Sequence, residues 1–126
     1  MTLEEIDHVA LYCAEPERTM EWYINTLGFK HVFPGQWSGV PIFIQLGSTF
    51  LALFPLKEAK EHLGKDRRVS HLAFRAATHE KFDSAQAELK SKGIPFEFED
   101  HDISHSIYFR DLDGFLLEIT TYDVSP

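Results

Sequence analysis

The sequence predicts an α+β fold of two βαβββ modules, expected to form a curved mixed sheet around a cavity. Three observations carry this expectation. Alternating apolar stretches mark strands on either side of two helical segments. Glycines that would end those helices recur at Gly28 and Gly93. Four landmarks of different kinds also keep nearly one spacing: His8 to His71 is 63 residues, Gly28 to Gly93 and Phe43 to Tyr108 are each 65, and Ala52 to Glu118 is 66. Such a period marks a duplicated structural unit, and neither copy could bury its sheet alone.

In the first module, Ile6–Cys13 alternates and reads as a strand. Pro16 suits the first turn of a helix, where its missing N–H costs nothing. Met20, Tyr23, Ile24 and Leu27 then fall on one helical face, and Gly28 stands where a left-handed cap belongs. Phe29–Phe33 is the next strand. Pro34-Gly35 and Ser38-Gly39 mark a loop, and Pro41–Leu46 with Thr49–Phe54 form a hairpin around Gly47-Ser48.

Leu56–Arg68 is charged and poor in apolar anchors, which makes it a linker with room for a short helix. The pattern then recurs. Val69–Arg75 is a strand, Thr78 caps a helix with Glu80 near its positive end, and Phe82, Ala85 and Leu89 form the inner stripe. Gly93 and Pro95 end it. Phe96–Glu99 is a strand, and Ser106–Arg110 with Phe115–Tyr122 form a hairpin around Asp111-Leu112-Asp113-Gly114. The expected organisation is one domain over residues 1–126, with module one at about 4–56, the linker at 57–68 and module two at about 69–123.

Composition narrows the function classes. The chain is 44% hydrophobic and 25% charged, which is a globular balance. Its formal net charge of −8 opposes nucleic-acid binding, which needs a basic surface. The single cysteine, Cys13, rules out an intrachain disulfide. No basic-then-apolar leader opens the chain, and no apolar run approaches the roughly 20 residues of a membrane span. A cytoplasmic location without a membrane partner is the expectation.

The chemistry concentrates at three positions. His8 and His71 occupy matching places in the first strand of each module, in Ile6-Asp7-His8-Val9-Ala10 and Val69-Ser70-His71-Leu72-Ala73. By strand alternation His8 shares a face with Ala10 and Tyr12, and His71 with Ala73 and Arg75. If the two sheets curve around one cavity, the imidazoles face each other. Glu118 interrupts the core-like run Phe115-Leu116-Leu117-Glu118-Ile119, where a carboxylate is costly unless paired or metal-bound. Two imidazoles and one carboxylate with open positions suit a divalent metal, namely iron(II), manganese, zinc or nickel. Such an ion acts as a Lewis acid toward substrate oxygens.

The motifs IDHVALYC, EWYINTLGF, VSHLAFRA and HSIYFRDLDGFLLEITTY span essentially the whole chain and resemble those of the vicinal oxygen chelate superfamily. That group includes glyoxalase I, fosfomycin-resistance thiol transferases, bleomycin-resistance proteins and extradiol ring-cleaving dioxygenases. The resemblance implies metal ligands on the first and last strands of the modules, and His8, His71 and Glu118 match those positions. It also implies a small-molecule substrate and a homodimer, with the site formed within one chain or across two.

Among the chemistries the resemblance implies, glyoxalase I enzymes place a carboxylate where this chain has Ala52, in Phe50-Leu51-Ala52-Leu53-Phe54. Alanine neither ligates a metal nor moves a proton. Fosfomycin-type thiol transfer needs a cationic pocket, for which only Arg75 and Arg110 are available. Extradiol dioxygenases use two histidines and a glutamate on iron(II) or manganese, with a tyrosine ten residues before the glutamate, a place Tyr108 fills. The stretch Asp100–His105 resembles the loop before that strand in single-ring dioxygenases, which makes His101 or His105 a candidate acid–base residue. Extradiol-like chemistry on iron or manganese is therefore favoured slightly over a lyase, isomerase or transferase. A drug-sequestering protein without catalysis is the alternative. The expected pocket walls are Tyr12, Phe43, Gln45, Phe50, Ala52, Phe54 and Tyr108, with Phe33 and Trp37 at the mouth, a lining suited to an aromatic or otherwise apolar substrate.

Overall fold

Alternating apolar residues in each half of the chain form a four-stranded mixed sheet. The first half contributes β1 (Val9–Cys13), helix α1 (Pro16–Leu27), β2 (Lys30–Val32), β3 (Ile42–Leu46) and β4 (Thr49–Pro55). The second contributes β5 (Leu72–Arg75), helix α2 (His79–Ser91), β6 (Glu97–Asp100), β7 (His105–Arg110) and β8 (Leu116–Thr121). The computed structural model describes residues 1–2, 4–58 and 69–124. The chain divides into two units, Met1–Arg67 and Arg68–Pro126. Leu56–Glu58 is a short 3-10 turn. The rest of the expected linker, residues 59–68, lies outside the described residues.

The two sheets have one topology. Strand order is β1-β4-β3-β2 in the first and β5-β8-β7-β6 in the second, with the first strand of each parallel to the last. Even the registers coincide. In the first module Ala52 pairs with Ala10 and Phe43. In the second, Glu118 pairs with Ala73 and Tyr108. Ala52 and Glu118 therefore occupy one structural position, as their spacing predicts.

Local signals account for the helix ends. Gly28 caps α1 at φ 82°, and its N–H donates to the Ile24 carbonyl at 3.2 Å. This left-handed conformation penalises any residue with a Cβ. Thr78 caps α2, its Oγ1 accepting from the Lys81 N–H at 3.1 Å. The buried stripe of α1 departs from the expected one. Pro16, Thr19, Tyr23 and Thr26 are buried, while Met20, Ile24 and Leu27 are only half-buried. The two stripes are adjacent faces of one helix, about 100° apart per residue. The buried one passes through Tyr23, fully enclosed and edge-on to Phe29 at 5.4 Å. In α2 Phe82 and Leu89 are buried as expected, with Ala85 half-buried.

Strand alternation separates two faces in each sheet. In the first, Ile42, Ile44, Leu51, Leu53 and Cys13 are buried on the face that α1 covers. His8, Tyr12, Phe43, Gln45, Phe50, Ala52 and Phe54 take the opposite parity. In the second, Ile107, Phe109, Leu117 and Ile119 are buried on one face, with Phe82 of α2 6.3 Å from Phe98 there. Tyr108, Ser106, Glu118 and Thr120 take the other. Each fully enclosed aliphatic side chain contributes about 1.5–3 kcal/mol relative to exposure. Among the described residues, no helix is long and apolar enough to cross a membrane.

Candidate functional site

Glu118 is 8% exposed in the middle of β8. A carboxylate at that depth must be paired on both oxygens, and it is. Oε1 lies 2.9 Å from His71 Nε2, and Oε2 accepts from Ser106 Oγ at 2.6 Å. Ser106 Oγ also lies 3.0 Å from Thr120 Oγ1, and the Thr120 hydroxyl donates to the His105 carbonyl at 3.3 Å. Behind His71, Nδ1 lies 2.9 Å from Ser70 Oγ, which orients the ring. The pattern is a carboxylate and an imidazole, each held from behind by a hydroxyl.

This pair fits a divalent ion. Two ligands at right angles with bonds of about 2.0–2.2 Å are separated by about 3 Å. The 2.9 Å between His71 Nε2 and Glu118 Oε1 is a direct imidazole–carboxylate contact whose length also lies within that bite. Among the described residues, no group of three or more His, Cys, Asp or Glu side chains is gathered in a way that could hold a metal ion. His8 belongs to the first module. Its Nδ1 lies 2.8 Å from Asp7 Oδ2, which orients Nε2 away from that carboxylate.

Tyr108 stands beside Glu118 in the register. Its ring is 5.9 Å from that of His71, and its hydroxyl lies 3.0 Å from His101 Nε2. His101 Nε2 is also 3.4 Å from Glu99 Oε2. Burial, then the carboxylates of Glu118 and Glu99, push the Tyr108 hydroxyl above the usual phenol range, so it stays protonated and can donate. The structure thus joins His71, Glu118, Tyr108 and His101 in one network.

It does not join His105 to them. His105 is three residues before Tyr108 on β7, an odd separation, so its side chain lies on the opposite face. There its Nδ1 lies 3.3 Å from His79 Nε2. Ser106, by contrast, was not among the expected site residues. Its place two residues before Tyr108 and opposite Thr120 is the signal that would have found it.

The first module carries an aromatic cavity of about 500 Å³ lined by Asp7, His8, Phe33, Gln36, Trp37, Phe43 and Phe50. Phe33 stacks on Phe50 at 6.1 Å and 6°, and Trp37 lies 5.1 Å from Phe43. The His8 ring meets Phe43 edge-on at 5.2 Å. Of the expected walls, Phe43 and Phe50 line this cavity, and Phe33 and Trp37 do so at 50% and 54% exposure. Ala52 is fully buried next to Phe43 in the register. Tyr12 and Phe54 pair with each other at 6.1 Å on the same sheet face but do not line the cavity. Gln45 turns to the hairpin, donating to the Gly47 carbonyl at 2.8 Å. Phe33, Trp37 and Ser38 have φ of 51°, 55° and 55°. Left-handed backbone at non-glycine residues costs on the order of 1 kcal/mol each, and such strain clusters at ligand-binding segments.

Comparison with known proteins agrees with this architecture. A Bacillus subtilis (strain 168) protein, the uncharacterized YwkD, is 28% identical over 103 residues, 77% of this chain and 78% of that protein. The lactoylglutathione lyase of Agrobacterium tumefaciens superposes with a TM-score of 0.76 at 22% identity, over 96% of each chain. The fosfomycin resistance protein FosX of Listeria monocytogenes superposes at 0.74 and 17% identity, over 95% of this chain and 94% of that one. At these identities the two structures speak for the fold alone. Residues 5–119 match the family model described as Glyoxalase/Bleomycin resistance protein/Dioxygenase superfamily. With two βαβββ sheets of one strand order and a match over residues 5–119, the chain belongs to the glyoxalase/bleomycin resistance protein/dioxygenase superfamily.

Proposed function

We propose that the protein is a divalent-metal-dependent enzyme for a small aromatic substrate bearing neighbouring oxygens. His71 and Glu118 are the metal's protein ligands in the second module. The observation that carries the reading is the buried Glu118, held by Ser106 and set at ligand bite from His71. An imidazole and a carboxylate with open positions suit iron(II) or manganese, with zinc and nickel compatible. The ion would supply Lewis acidity toward a vicinal pair of substrate oxygens.

The remaining residues act on the substrate directly. The protonated Tyr108 hydroxyl donates to a substrate oxygen. His101 Nε2, 3.0 Å away, receives or returns the proton as the substrate hydroxyl ionises, with Glu99 orienting its ring. The cavity of the first module, taken by itself, offers the flat apolar surfaces of Phe33, Trp37, Phe43 and Phe50 to an aromatic ring. Ala52 at the place mirroring Glu118 leaves no second carboxylate for a proton relay. That supports extradiol-type oxygenation ahead of the lyase chemistry named for the Agrobacterium structure.

The test is oxygen uptake on a panel of catechols by iron- and manganese-loaded protein. Uptake that disappears in Glu118→Gln and falls at least tenfold in Tyr108→Phe supports the reading. No uptake, together with turnover of a 2-oxoaldehyde thiol adduct, moves it to lyase chemistry. The aromatic cavity favours one other reading, a sequestering protein that binds planar drugs without chemistry. Tight binding of a planar aromatic by chelator-treated protein, with no turnover when loaded, selects that reading.

A further inference from the structure

A second cluster of imidazoles lies on the opposite face of the second sheet, apart from the group around Glu118. His79, the first residue of α2, and His105, the first of β7, bring Nε2 and Nδ1 to 3.3 Å from each other. Their outer nitrogens each face a carboxylate. His79 Nδ1 lies 3.3 Å from Asp83 Oδ2, and His105 Nε2 lies 3.6 Å from Asp100 Oδ1. Which nitrogens carry the protons depends on the tautomers. The 3.3 Å contact is a hydrogen bond when one inner nitrogen is protonated. Both inner lone pairs are open to a cation when the protons sit on the carboxylate-facing nitrogens.

The spacing suits a metal. Two nitrogens on a tetrahedral ion with bonds of about 2.0–2.1 Å are separated by about 3.3 Å. The carboxylate–imidazole arrangement behind each ligand is the one that orients metal-bound histidines. Position is fixed from several sides. Asp123 Oδ2 accepts from the His79 backbone N–H at 2.8 Å, and Phe98 meets the His105 ring at 5.3 Å. We infer that His79 and His105 form a two-histidine site for a borderline divalent ion, zinc, copper(II) or nickel, with solvent completing its coordination. The rival occupant is a single shared proton, which would fill the same gap without any metal.

The test uses the full chain carrying His71→Ala and Glu118→Gln, which removes the other proposed site, so the two proposals fail independently. Zinc is titrated against a weak chelator while the imidazole signals are followed by NMR. The inference expects one zinc per chain, with shifts confined to His79 and His105. His79→Gln and His105→Gln, chosen to keep polarity and volume, should each weaken binding more than tenfold. Asp100→Asn should weaken it by about tenfold, as removal of an orienting partner does. Circular dichroism and the Tm of the metal-free variants establish that each is folded. No zinc binding, or binding that folded His79→Gln and His105→Gln leave unchanged, overturns the site.

Discussion

Replacing Ser106 with alanine removes the hydroxyl that donates to Glu118 Oε2 at 2.6 Å and leaves the backbone of β7 intact. Ser106 is completely buried and Glu118 nearly so, which means water cannot take over the lost bond. A hydrogen bond to a charged group contributes about 1.5–3 kcal/mol. The metal-free variant should therefore lose about that much stability, read from the urea midpoint at unchanged slope. The same bond holds the carboxylate in its ligating position. Loss of such a partner weakens metal affinity about 10–100-fold, measured here by zinc competition with a chelator. A double-mutant cycle separates the bond from general packing: in a Glu118→Gln background, Ser106→Ala should cost at least about 1 kcal/mol less. A variant within roughly 0.5 kcal/mol of the parent and unchanged in zinc affinity would refute the role assigned to Ser106.

Other perturbations follow from the same geometry. In chelator-treated protein the Tyr108 phenol is raised, so folding stability from its neutral form is complete below about pH 10 and declines as pH rises through the folded value. Absorbance near 295 nm should show a late-titrating tyrosine that Tyr108→Phe removes; loss of an early step instead would contradict the direction. Ser38→Gly relieves a left-handed residue at φ 55° and should stabilise by about 0.5–1 kcal/mol, seen as a higher Tm. A lower Tm would show that the Ser38 side chain matters more than its backbone. A planar aromatic ligand in the first-module cavity should quench Trp37 emission. The quench should survive Trp22→Phe and vanish in Trp37→Phe, while Phe33→Ala should weaken binding by about tenfold through loss of one stacking ring. Quenching that tracks Trp22 would place the ligand elsewhere.

Much of this organisation is legible in the sequence. Gly28, Thr78 and the Gly47-Ser48 turn announce their elements because each obeys a local rule. The equivalence of Ala52 and Glu118 is legible because duplication preserves register, and pairing with Phe43 and Tyr108 bears it out. What was illegible depends on distance along the chain or on ambiguity of face. Ser106 reads as an ordinary strand serine until Glu118, 12 residues on, is folded against it. His79 meets His105 across 26 residues, a contact no window reveals. His105 was readable in principle, since its odd separation from Tyr108 puts it on the far face. The α1 stripe was ambiguous because two adjacent faces carry bulky residues, and threonines rather than Met20 and Ile24 point inward. The positive φ of Phe33 and Trp37 has no signature, since neither residue type favours it.

The central claim is a divalent ion on His71 and Glu118, and metal content tests it most directly. Protein carrying His79→Gln and His105→Gln, which removes the other proposed site, purified without added metal, passed through gel filtration and analysed by plasma mass spectrometry, should retain close to one iron, manganese, zinc or nickel per chain. That metal should be lost when His71→Ala or Glu118→Gln is added to the same folded background. Retention of the full complement in both His71→Ala and Glu118→Gln would contradict the account.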